Sequence, residues 1–321
     1  MKPGYDKALY LLPFDHRYSY MTGMFHFKPP LSALQRDQIR DSKQLIYEGF
    51  QLALEAGVPS GSVGLLVDEE FGANILRDAH RRGFITALST ESSGSDEFKF
   101  EYGDDFASHI EAFDPTFAKV LVRYNPQGER AMNLRQVARL KQLSDACRAS
   151  DRRLMFELLV PATEQQLAGL NGDRATYDLN MRPRLMVESV RALQDAGIEP
   201  DIWKIEGLAN RDDCARMVET VRREGRDAVG CIVLGRGADE DSVRRWLATA
   251  AGVPGFIGFA VGRTSFWDAV AGYREQTLSR AAAAAQIAAR LRAWIDIFER
   301  GRSAQATGAR TSTEPLAGET P

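Results

Sequence analysis

The chain is predicted to fold as a single (β/α)8 TIM barrel of the α/β class. Three observations predict it. Eight short apolar runs alternate with amphipathic helical patterns. No hairpin turn signal joins any two runs, so the strands are expected to lie parallel. Eight such units in about 250 residues is the count of a closed barrel. An open doubly wound sheet is the alternative, but the turn after the first run reads "PFDHRYSY", with no GxGxxG.

The runs, in order, are "ALYLLPFDHR" (8–17), "SVGLLVDEEFG" (62–72), "FITALSTESSG" (84–94), "FAKVLVRYNP" (117–126), "RLMFELLVPAT" (153–163), "DIWKIEG" (201–207), "VGCIVLGRG" (229–237) and "GFIGFAVGRTS" (255–265). Between them, "SALQRDQIRDSKQLIYEGFQLALEAG" (32–57), "NLRQVARLKQLSDACRAS" (133–150) and "MRPRLMVESVRALQDAG" (181–197) repeat apolar residues at three- and four-residue spacing and end on Gly or Ser. The stretch 281–298 is interrupted by Gln286, Arg290, Arg292 and Asp296, which predicts an amphipathic terminal helix and not a membrane span. One domain is expected over residues 1–300. Residues 301–321, rich in small and polar residues, are expected to be a disordered tail.

Composition excludes several classes. Of 321 residues, 44% are apolar and 26% charged, an ordinary globular balance. The net charge of −3 gives no basic field for nucleic acid or a membrane surface. The first residues carry no long apolar signal region. Cys147, Cys214 and Cys231 are odd in number and far apart, which fits a reducing cytoplasm and argues against structural zinc. His16, His26, His80 and His109 form no metal-binding pair, so no metal and no cofactor are expected. Self-association as a homo-oligomer stays open.

Nearly every run ends in a polar cluster, as in Asp15-His16-Arg17, Glu91-Ser92-Ser93 and Arg123-Tyr124-Asn125. In a barrel these C-terminal strand ends meet on one rim, where the active site lies. Solvated loop starts would explain one such cluster. Several, with charges inside the apolar runs, point to a site.

The sixth run holds the sharpest clue. Strand alternation puts Ile202, Lys204 and Glu206 on one face and Trp203 and Ile205 on the other. The bulky pair belongs under the helices, which turns Lys204 into the barrel. A lysine whose burial keeps it neutral is a nucleophile toward carbonyls and forms Schiff bases. The ordinary explanation of a lone buried lysine is a structural ion pair, here with Glu206. Glu157 and Lys119, each inside an apolar run, shift the balance. Glu157, in an apolar setting, is expected to have a raised pKa and shuttle protons. Lys119 is expected to act as a second cation lowering the pKa of Lys204. The alternative is that Glu157 and Lys119 pair with each other across adjacent strands.

The seventh and eighth runs pass through Gly-Arg into helical patterns, "VLGRGADEDSV" and "FAVGRTSFWDAV". Barrels often hold phosphate in these two loops. Gly235, Gly237 and Gly262 would admit close backbone approach, and Arg236 and Arg263 would neutralise charge. The residues thus describe a barrel enzyme with a Schiff-base lysine and a phosphorylated ketose or keto acid as substrate.

The marks "PFDHR", "AKVLVRYNP", "LMFELLVPAT", "WKIEGL" and "VGRTSFWDA", in order over residues 8–275, resemble the class I aldolases of the tagatose-bisphosphate aldolase type. They look closest to the aldolase-like (DUF2090) domain attached to the 5-dehydro-2-deoxygluconokinase of inositol catabolism. The resemblance implies a metal-independent lyase with Lys204 as Schiff-base lysine, Glu157 as proton-transfer residue, Lys119 as second active-site lysine and Asp15 as substrate contact. It implies that Arg17 and Arg263 bind phosphate, and that Glu91 is kept where Ser92 departs from a basic residue. The implied reaction cleaves 2-deoxy-5-keto-gluconate 6-phosphate to dihydroxyacetone phosphate and malonate semialdehyde. Tagatose 1,6-bisphosphate or a sulfosugar phosphate are alternative substrates, and a non-catalytic sugar-phosphate-binding barrel is the alternative role.

Overall fold

Eight parallel strands close into a barrel in chain order in the computed structural model, which describes residues 2–311. They are β1 (Leu9–Pro13), β2 (Val63–Val67), β3 (Ile85–Ser89), β4 (Phe117–Arg123), β5 (Arg153–Leu159), β6 (Ile202–Glu206), β7 (Gly230–Leu234) and β8 (Phe256–Ala260). Each lies within its predicted run. The expected helical stretches form helices Ala33–Glu55, Arg130–Ala149 and Arg182–Asp195. Among the described residues no helix is long and apolar enough to cross a membrane.

Alternation along the strands builds two apolar layers. Leu9, Leu11, Leu66, Phe117, Met155, Ile202 and Ile232 fill the barrel interior. Trp203 and Ile205 face outward into the core beneath the helices, where Trp203 packs on Phe156 at 4.8 Å between ring centroids. Burying each such side chain stabilises the fold by roughly 1.5–3 kcal/mol. The inner apolar layer closes the lower barrel. It leaves the upper positions of the same strand faces to Lys119, Glu157 and Lys204.

Register sets which of these residues meet. Glu157 stands opposite Lys204 between β5 and β6, and Lys119 stands opposite Ser89 between β3 and β4. Beside β2, the buried Lys43 is paired with Asp68, and Asp68 also accepts a hydrogen bond from Phe71 N at 2.8 Å, capping helix Glu69–Arg81.

The terminal helix spans Arg280–Thr311 and so passes residue 300, where a disordered tail was expected to begin. Tertiary contact anchors the helix just past residue 300. Arg302 donates to the Tyr10 hydroxyl at 3.3 Å, and Phe298 meets the Tyr10 ring at 5.9 Å. Residues 312–321 of that expected tail lie outside the described residues.

Candidate active site

A cavity of about 390 Å³ opens at the C-terminal mouth of the barrel. Asp15, His16, Glu91, Lys119, Glu157 and Lys204 form its floor and walls, and Gly235, Arg236, Gly237, Gly262 and Arg263 form part of its rim. The strand ends therefore bring these candidate site residues to one place, with Arg17 at the edge, while Glu206 does not line the cavity.

The floor is an ionic cluster. Lys204 Nζ lies 2.7 Å from Glu157 Oε1, and Lys119 Nζ lies 2.8 Å from Glu157 Oε2. Lys119 also donates to Asp15 at 2.8 Å and to Glu91 at 2.6 Å. Lys119 thus has three carboxylate partners and Lys204 has one. Both side chains are almost fully buried, which makes unpaired charge costly and explains the pairing.

The electrostatics follow from that geometry. Burial alone would lower the pKa of Lys119, but the carboxylates of Asp15, Glu157 and Glu91 hold it well above the usual lysine value. Burial would raise Asp15, yet Lys119, His16 and Lys204 hold it below the ordinary carboxylate value. Glu157 was expected to have a raised pKa. Burial does push it up, but Lys119 and Lys204 outweigh burial, and its pKa is lowered. The carboxyl that burial does raise is Glu91, where Lys119 offsets only part of the effect and Asp15 adds to it. Lys119 does not act as a bare second cation beside Lys204, because three carboxylates surround it. Among the described residues no group of three or more His, Cys, Asp or Glu is arranged to hold a metal ion.

Glu206 is not the partner of Lys204. It accepts from Val160 N at 2.9 Å and lies 3.0 Å from Arg236 Nε and 4.0 Å from Arg182 Nη1. Glu206 therefore ties β6 to the ends of β5 and β7. Burial raises its pKa, against the pull of Arg182 and Arg236.

The two Gly-Arg loops differ. Arg236, with φ of 51°, lies 2.8 Å from Asp178 and 3.0 Å from Glu206, so two carboxylates already occupy its guanidinium. Gly237 follows at φ 68°, and a Cβ there would collide with the Arg263 guanidinium. A Cβ at Gly262 would likewise meet the Pro13 carbonyl. Arg263 opens helix Arg263–Arg274 and donates only to the Arg236 carbonyl, at 3.3 Å. Its Nε is buried without a partner, and among the described residues no carboxylate pairs with it. Arg263, not Arg236, is the rim cation left for an anion.

Arg17 is also committed. It forms an ion pair with Glu101 at 2.9 Å and donates to the Glu91 carbonyl, so it braces the chain after β3. The resemblance had placed it with Arg263 on phosphate. Each of its two terminal nitrogens has one protein partner, and its Nε, like that of Arg263, is buried without one.

Among the cavity residues given no role by the sequence, His16 stands out. His16 lies between Asp15 and Arg17, and its Nδ1 is buried with no hydrogen-bond partner. Its pKa is lowered to about 4 by burial, with Arg263 and Lys204 adding to the effect and Asp15 and Glu157 opposing it. A histidine flanked by two candidate site residues was the available signal.

Comparison with solved structures gives the same fold. A protein from Corynebacterium glutamicum, Cgl0159, superposes with a TM-score of 0.52 at 18% identity, covering 91% of this chain and 88% of that one. A Schiff base forming fructose-1,6-bisphosphate aldolase gives 0.53 at 13% identity, covering 89% and 93%. A fructose-bisphosphate aldolase from Slackia heliotrinireducens gives 0.53 at 11% identity, covering 87% and 85%. At these identities the likeness is one of fold. No curated protein sequence matches the chain. A family model does match over residues 2–302, and the chain belongs to that family, described as an uncharacterized protein conserved in bacteria (DUF2090).

Proposed function

We propose that this barrel is a metal-independent class I aldolase that cleaves a phosphorylated keto sugar acid through a Schiff base on Lys204. The observation that carries the reading is the pair of contacts made by Glu157, one oxygen toward Lys204 and the other toward Lys119. A carboxylate 2.7 Å from the amine can take the Lys204 proton directly, which frees the nitrogen lone pair for attack. Lys119, ionised and held by three carboxylates, keeps Glu157 in place and supplies positive charge beside it.

The steps balance on these groups. Lys204 adds to the substrate ketone, and Glu157 returns the proton to the new hydroxyl, which leaves as water. The resulting iminium draws the carbon–carbon bonding pair into an enamine as the hydroxyl on the departing carbon gives its proton to the Glu157 carboxylate. Return of that proton to the enamine carbon and hydrolysis by water release the ketone product and restore Lys204.

Arg263, without a carboxylate partner beside the seventh and eighth loops, supports a phosphate at that rim. Arg123, at the end of β4, lines the cavity on the opposite side of the ring from β8. A cation on each side supports a substrate with an anion at each end. 2-Deoxy-5-keto-gluconate 6-phosphate has that form, and the resemblance to the inositol-catabolic aldolase-like domain favours it. Its cleavage would give dihydroxyacetone phosphate and malonate semialdehyde in the cytoplasm.

The test is borohydride trapping. With dihydroxyacetone phosphate, a reduced adduct mapped to Lys204 by mass spectrometry is the expected result. An adduct elsewhere, or none, would reject the Schiff-base reading and favour a binding role. A substrate panel with tagatose 1,6-bisphosphate and a sulfosugar phosphate then decides the sugar.

A further inference from the structure

The ring of His16 is held in one orientation at the seam between β1 and β8. It stands edge-on to Phe266 of helix Arg263–Arg274, with ring centroids 6.2 Å apart, and its Cε1 faces the space over Gly262. Gly262 has no side chain, and a Cβ built there would come within 3.3 Å of that carbon. Nδ1 is shut off from solvent without a partner, so Nε2 is the nitrogen left open to the cavity.

That asymmetry selects a tautomer. A buried N–H with no acceptor costs about 1–3 kcal/mol, and orphaned buried N–H groups are rarer than under-used acceptors. The proton of the neutral ring therefore belongs on Nε2, with Nδ1 bare. A second proton on Nδ1 would create that orphan. It would also add a third cation beside Arg263 from the helix after β8 and Lys204 from β6, opposed by Asp15 at the strand end and Glu157 from β5.

We propose that His16 is a specificity-determining residue of the anion seat, donating a hydrogen bond from Nε2–H as a neutral imidazole to an oxygen of the substrate phosphate beside Arg263. Two donors of different kind then hold the anion. Arg263 supplies charge, and His16 supplies direction. The inference rests on the phosphate end of the reading above and not on the Schiff base at Lys204.

The experiment uses the full chain and inorganic phosphate, so failure of trapping at Lys204 leaves it intact. Nitrogen-15 NMR of the wild-type protein at pH 7 is expected to show His16 as the Nε2–H tautomer, with its N–H resonance sharpening and shifting when phosphate is added. His16→Ala is expected to weaken phosphate binding about tenfold, and His16→Gln, which keeps an amide donor, to recover part of the loss. The Nδ1–H tautomer, a His16 titration midpoint near the ordinary 6.5, or unchanged phosphate affinity in His16→Ala would each overturn the proposal. The tautomer readout needs no variant, so a folding defect in His16→Ala does not remove the test.

Discussion

Glu157 and Lys204 face each other across paired strands, with Oε1 and Nζ 2.7 Å apart and both side chains almost fully buried. At that distance the two groups can exchange a proton with no intervening water. Replacing Glu157 by Gln keeps shape and removes proton acceptance. Aldol cleavage is expected to fall by roughly 10²–10⁴, the usual contribution of a positioned acid–base group. Borohydride trapping at Lys204 should slow but persist. Full retention of turnover in Glu157→Gln would show that protons travel by another route.

Lys204→Met separates chemistry from folding. Glu157 keeps Lys119 as an ionic partner, so the buried carboxylate is not orphaned. The variant is expected to fold with a melting temperature close to wild type, to bind inorganic phosphate normally, and to lose both adduct and cleavage. Residual cleavage above about one part in a thousand would place the nucleophile elsewhere.

Lys119→Met should behave in the opposite way. It strips the shared cation from Asp15, Glu91 and Glu157, leaving three buried carboxyls together. Removing one partner of a buried ionic cluster costs about 3–5 kcal/mol. Chemical denaturation at pH 7 is the measurement, and a loss under about 1 kcal/mol would mean that the cluster is looser than its distances suggest.

The same cluster sets the response to acid. Asp15 and Glu157 have lowered pKa values in the fold, so their contribution is present above the unfolded value near 4 and is lost as pH falls through the folded values. His16 is depressed to about 4, so it too favours the fold above about 6.5 and loses that contribution toward pH 4. Glu91 is raised and works the other way, gaining on acidification. In the wild type, stability is expected to fall between pH 6.5 and pH 4 through His16, partly offset by Glu91, and to fall further below pH 4 as Asp15 and Glu157 protonate. In Lys119→Met, whose carboxyls would rather be protonated, the trend should flatten or reverse. Parallel stability profiles for the two proteins would contradict this account.

The barrel and its inward charges were legible because they depend on local periodicity. Alternation in "DIWKIEG" is enough to send Trp203 out and Lys204 in, and the same rule places Lys119 and Glu157. The protonation of Glu157 was not legible. It depends on two lysines arriving from β4 and β6, and one carboxyl in an apolar run carries no sign of them. Glu206 shares a strand face with Lys204, yet its partners come from β5 and from the loop after β7. Helix length past residue 300 was likewise hidden, since composition does not show the contact of Arg302 with Tyr10.

The two Gly-Arg loops give the last prediction, because identical dipeptides end in different electrostatic states. Arg236 is paired with Asp178 and Glu206, whereas Arg263 has only the Arg236 carbonyl. An anion at the rim gains most from the unpaired cation, and a charge-assisted hydrogen bond contributes about 1.5–3 kcal/mol. Arg263→Ala is therefore expected to weaken inorganic phosphate binding by roughly 10- to 100-fold and to flatten its salt dependence. Arg236→Ala should weaken phosphate binding far less but destabilise the fold, because it removes an ion-pair partner of the buried Glu206. Arg236→Ala combined with Glu206→Gln should recover part of that stability, since Gln can still accept from Val160 N without carrying charge. Calorimetric titration with phosphate and denaturant melts of the three proteins measure both effects. Equal losses of phosphate affinity in Arg236→Ala and Arg263→Ala would mean that Arg236 leaves its carboxylates when the anion arrives, and the division of roles between the two loops would be wrong.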